Sequence, residues 1–127
     1  MNQIKVLSKL FVIVSMLFLS STMFAQIKQV SGKVNFIRVH EVGGKYGPPN
    51  DQIDAEVIIK FRNHPGKAFG FTLRNDTNES VKNGMLDILR DAFKNDYTVT
   101  IDYKAKAGND VRPAGKNGLI IRVWITK

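Results

Sequence analysis

Cysteine is absent from the 127 residues. No disulfide can form and no thiolate is available as a nucleophile, so a folded domain must rest on a hydrophobic core. The cysteine that carries the lipid of a bacterial lipoprotein is missing as well. Histidine is nearly absent, with only His40 and His64. Glu41 follows His40, but neighbours along a strand point to opposite faces, so the two make no dyad. His64 precedes Pro65 in a turn-forming stretch, and two histidines without clustered carboxylates do not make a zinc site. Gly43-Gly44-Lys45 lacks the spacing and the strand-to-helix setting of a phosphate loop. Asp51 and Asp54 are not spaced as in a calcium loop. The expectation is a protein that is not an enzyme and needs no cofactor or metal. No internal repeat, low-complexity tract or interdomain linker divides the chain.

What is present begins with an export signature. Lys5 and Lys9 precede an apolar run, Leu10 to Leu19, whose one polar residue is Ser15. Ser20-Ser21-Thr22-Met23-Phe24-Ala25 follows, a cleavage region with Ala25 at its last position and a larger residue than usual, Met23, at the third-last; together these read as a secretory signal peptide. The run falls short of the roughly 20 apolar residues that a membrane span needs. The expected organisation is a signal peptide over 1–25 and one domain over 26–127, with no transmembrane segment after cleavage. Loss of Lys5 and Lys9 leaves 17 Lys and Arg against 11 Asp and Glu, a balance of +6. A cysteine-free, exported domain of this size suits the bacterial periplasm or exterior.

The strongest local pattern lies at Ser80–Tyr103. Met85, Leu86, Leu89, Ala92 and Phe93 recur with the helical period and form one apolar face, with Asp87, Arg90, Asp91 and Lys94 on the other. Asn78 or Ser80 is the expected N-cap, and Asn95-Asp96 the stop. The period then changes to two, with Tyr97, Val99, Ile101 and Tyr103 alternating with polar residues, the pattern of a half-buried strand.

Three strands are expected before this helix and one after the strand that follows it. The first, Gln29 to Val42, sets Val30, Gly32, Val34 and Phe36 in one phase and Ile37 and Val39 in the other, as a β-bulge would. A Gly/Pro-rich loop, Glu41 to Asp51, comes next. The second strand points Ile53, Ala55, Val57, Ile59 and Phe61 inward and Asp54, Glu56, Ile58, Lys60 and Arg62 outward. The third points Phe69, Phe71 and Leu73 inward. Ala105 to Gly118 reads as a basic loop, and Leu119 to Thr126 as a last strand with Leu119, Ile121, Val123 and Ile125 inward.

A bent first strand, a hairpin of strands two and three, a helix between strands three and four and a closing hairpin together resemble the OB-fold. The expected fold is therefore all-β with one helix, a five-stranded Greek-key barrel. The glycan-binding B subunits of AB5-type toxins are similar secreted OB-folds, and the resemblance is one of topology. It implies binding through the outer face of strands two and three and through the 1–2 and 4–5 loops.

Candidate ligand-binding residues are Lys45 and Tyr46 in the first loop and Arg112 and Lys116 in the second. Tyr46 would stack on a planar ligand while the cations hold an anionic group. The outer face of the 2–3 hairpin is expected to lack aromatics, which counts against single-stranded nucleic acid as a partner. The partner expected is a glycan or an anionic polymer. The alternative is a structural or oligomer-forming protein that works through protein contacts or a second copy of itself. For that reading Ile120 and Trp124 are expected to point outward, with Arg74 of the neighbouring strand stacked on the indole.

Overall fold

A computed structural model describes residues 27–74, 76–105 and 117–126. The signal segment, Arg112 and Lys116 lie outside the described residues. In chain order the elements are β1 (Ile27–Val39), β2 (Lys45–Tyr46), β3 (Ile53–Asp54), β4 (Val57–Phe61), β5 (Phe69–Phe71), α1 (Glu79–Asn95), β6 (Thr98–Ala105) and β7 (Gly118–Ile125). Five of them form one sheet in the order β1-β4-β5-β7-β6, and β6 returns to pair with β1, so the pairings close into a ring. The helix thus follows the fifth strand rather than the third. The reason is local: the Gly/Pro-rich loop makes a two-residue ladder of its own, β2 with β3, and Ile53–Asp54 separates from β4 at Ala55-Glu56. Leaving that small ladder aside, α1 separates β5 from β6.

β1 serves two neighbours. Residues 27–33 pair with β6 and residues 34–39 with β4, with a register shift between Val34 and Phe36. Val34 therefore faces the ring interior, while Phe36 stands opposite Lys60 on the outer face. The slip comes before Phe36, not after it as the apolar pattern suggests, and it turns Phe36 out of the ring to pack, half buried, on the outer cluster beside Tyr46.

Two hydrophobic clusters result. Inside the ring, Phe61, Phe69, Phe71, Ile59, Ile101 and Tyr103 pack with Met85, Leu89 and Ala92 of α1. Phe69 meets Tyr103 edge-on at 4.8 Å and Phe61 at 5.5 Å, spacings at which aromatic pairs attract beyond their buried area. Outside the ring, Ile53, Ala55, Ile58 and Ala68 are buried together, with Phe36, Tyr46 and Leu119 packed over them. Ile58 is thus buried although it points outward. Phe93, expected in the helix's apolar face, is 50% exposed; the buried stripe of α1 is narrower, Met85, Leu89 and Ala92.

The helix begins after Asn78, whose side chain makes no cap bond. Instead the Asp76 carboxylate accepts the Asn78 backbone N–H at 2.8 Å. It ends at Asp96, which adopts a left-handed conformation while Tyr97 N–H donates to the Ala92 carbonyl. The chain then passes directly into β6.

β7 carries a second register shift. Asp102 pairs with Arg122 and Tyr103 with Ile120, so Ile121 is an extra residue. Alternation inverts across it: Val123 and Ile125 pack against the inner core, and Ile120 does so too at 5% exposure. Ile120 is therefore part of the core and not the outward contact expected from simple alternation.

Candidate functional site

Tyr46 is placed by the β2–β3 ladder, in which it stands opposite Ile53. The turn depends on Gly47, whose φ of 112° suits glycine and whose absent side chain would fall 2.5 Å from the Asp51 carbonyl oxygen. The ladder lays Tyr46 back over the outer face of the ring. Its ring centroid is 6.4 Å from that of Phe36, tilted by 44°.

Three cations surround this aromatic pair. The Lys60 ammonium lies 5.3 Å from the Phe36 centroid and 5.5 Å from that of Tyr46. The Arg38 guanidinium lies 5.9 Å from the Tyr46 centroid, within cation–π range. Lys45, beside Tyr46, is exposed. None of the three is in an ion pair among the described residues. Phe36 and Tyr46 are only half buried, so part of each ring faces solvent next to uncompensated positive charge. The β4–β5 hairpin itself presents no aromatic on its outer face; Phe36 of β1 and Tyr46 of β2 bring two beside it. Tyr46 and Lys45 were legible from composition. Phe36, Arg38 and Lys60 were not, because only the cross-strand pairs Phe36–Lys60 and Arg38–Ile58 bring them together.

No family model, curated protein or solved structure matches this chain.

Arg74 does not stack on Trp124. Its guanidinium donates to Glu56 Oε1 at 2.9 Å and to the Asp54 carboxylate. These hydrogen bonds, Asp54 first and then Glu56, hold the Arg74 pKa above its ordinary value. The Glu56 side chain is 3% exposed, and its other oxygen accepts the Leu73 N–H at 2.8 Å. A buried carboxylate demands such partners, and that demand takes Arg74 away from β7. Trp124 stands opposite Thr100, whose hydroxyl meets that of Ser31 at 2.7 Å. Ser31, Thr100 and Trp124 thus form a row across three strands on the outer face, with the indole half buried.

His40 sits in the same loop region as Tyr46. Its Nε2 is 2.9 Å from the Gly44 carbonyl oxygen, and its Nδ1 is buried with no hydrogen-bond partner. Glu41 is not its partner in that bond. Among the described residues no group of three His, Asp or Glu is placed to hold a metal ion.

Proposed function

We propose that the protein is an exported, non-catalytic binding module with an OB-fold-like barrel, and that it holds a glycan or other anionic ligand on the outer face of β1 and β4. The observation that carries this reading is the half-exposed Phe36–Tyr46 pair flanked by Arg38, Lys45 and Lys60 without a carboxylate partner among the described residues. An aromatic face offers stacking to a sugar or other planar group, and unpaired cations beside it attract carboxylate, sulfate or phosphate. Arg112 and Lys116, which lie between β6 and β7 in the sequence, are proposed to add to the same positive field. Export rests on the signal-peptide pattern of residues 1–25. Intact mass of periplasmic or secreted material should start at Gln26; recovery of the full chain in the cytoplasm would remove the export part of the reading.

Titration with a heparin-derived hexasaccharide tests the site. Saturable binding by monomeric protein is expected, and the Arg38→Gln/Lys60→Gln pair should weaken it about tenfold. Neutral maltohexaose binding equally well would overturn the anionic part. Hexathymidylate bound in preference to the sugar would replace the glycan with a nucleic acid.

The alternative reading, assembly through protein contacts, is favoured by exposed Phe93 beside half-buried Ile37. Light scattering decides between them: a stable oligomer that dissociates on Phe93→Ala supports assembly, and a monomer throughout removes it.

A further inference from the structure

The ring is not equally closed all round. β5 and β7 run parallel and share only two residue pairs, Phe69–Gly118 and Gly70–Leu119. Beyond Phe71 the chain leaves the sheet, drawn aside where Glu56 binds the Leu73 N–H and the Arg74 guanidinium. From Ile120 onward β7 pairs only with β6 among the described residues, so its other edge has no strand beside it. An unpaired edge presents backbone donors and acceptors to any extended chain laid along it.

At the point where the two strands part, a groove of about 460 Å³ opens between β7 and the first half of α1. Its floor is apolar, formed by Phe71, Met85 and Ile120 from the core. Val81, 59% exposed, lines it from the helix. Its rim carries two lysines, one of them already ion-paired. The Lys82 side chain is only 13% exposed, and its ammonium donates to Thr72 Oγ1 at 2.7 Å and to Asp76 at 2.5 Å. Lys104, opposite Leu119, is exposed and has no ion-pair partner among the described residues. The one carboxylate lining the groove, Asp54, is already held by Arg74.

We propose that this groove takes a short extended peptide, added antiparallel to the free edge of β7, whose C-terminal carboxylate rests on Lys104. The free edge supplies the main-chain bonds, alternate apolar side chains enter the floor, and the Lys104 ammonium at the seam end selects for the carboxylate. This site is separate from the outer face of β1 and β4 and stands whether or not that face binds a glycan.

The test is a titration of ¹⁵N-labelled protein with acetyl-leucyl-valyl-leucine, with its C-terminal amide and with decanoate. The free acid should shift the amides of Ile120 to Val123 saturably, and the amide form should bind about tenfold more weakly. Lys104→Gln, at an exposed position, should weaken the acid and leave the amide unchanged. Val81→Asp should abolish both while circular dichroism stays that of the parent. Equal affinity of acid and amide, shifts confined to other parts of the molecule, or no saturation would each overturn the proposal. Decanoate displacing the peptide without shifting the β7 amides would replace the peptide with a lipid carboxylate.

Discussion

Asn117 is buried, and its amide holds three pieces of chain together. Its Oδ1 accepts the Ala68 N–H at 2.8 Å, its Nδ2 donates to the Asp51 carbonyl at 2.8 Å, and its backbone N–H donates to the Asp51 carboxylate at 3.2 Å. Asn117→Ala leaves the Ala68 N–H buried without that acceptor, and an orphaned buried group costs about 1–3 kcal/mol. Urea denaturation should show a loss of that size; a midpoint equal to the parent's would mean water replaces the amide. Asp96 is the second such residue. Its carboxylate accepts from Lys33 at 2.5 Å and Arg62 at 3.1 Å. The Lys33 hydrogen bond, with the charges of Lys33 and Arg62, holds its pKa below the ordinary 3.8. The folded form thus binds this proton less readily than the unfolded chain. The resulting stability is present above the ordinary value and is lost as pH falls through the lower folded one. Asp96→Asn keeps the tolerance for a left-handed backbone. It should therefore be less stable than the parent at neutral pH, with the gap closing below about pH 4. A gap of the same size at pH 7 and pH 2 would rule out charge as its cause.

The elements differ in how far the chain reveals them. α1 and β6 were legible because each keeps one period along its whole length and the period changes at a residue, Asp96, that stops a helix. Leu89→Ala should accordingly cost about 2–5 kcal/mol, whereas exposed Phe93→Ala should change stability by about 0.5 kcal/mol or less; similar midpoints for the two would invert the assigned helix face. β7 was legible as a strand but not in its orientation. The extra residue at Ile121 leaves no mark in a run where every candidate is apolar, so Ile120 looked external. β2 was hidden, and β3 read as the start of the strand that continues in β4, for another reason: two-residue strands have no periodicity of their own to read. The candidate site shares that limit. Tyr46 and Lys45 stand out in a loop of Gly and Pro, but Phe36, Arg38 and Lys60 join them only through a register set by the bulge before Phe36.

For the whole molecule, the ring is as strong as its weakest pairing. The β1–β6 ladder has seven residue pairs, whereas the β5–β7 seam has two and relies on the Asn117 bonds and on Gly118 N–H donating to the Ala68 carbonyl at 3.1 Å. Local opening should therefore begin there. In hydrogen exchange, Phe69–Gly70 and Gly118–Leu119 should lose protection before Val30–Gly32 and Val99–Ile101; the reverse order would mean that the β1–β6 ladder, not the seam, opens first. The outer cluster carries a different consequence. Ile53, Ala55, Ile58 and Ala68 are sealed from water by Phe36, Tyr46 and Leu119, and Tyr46 belongs to a loop that looks, by composition, like a disposable connector. Anyone shortening residues 41–52 to a tight turn, or grafting a foreign sequence there, would uncover an oily strip on the outside of the sheet. The engineered protein would fold around its inner core and then stick to its neighbours, so this loop is a poor place for a tag and a good place to look for solubility mutations.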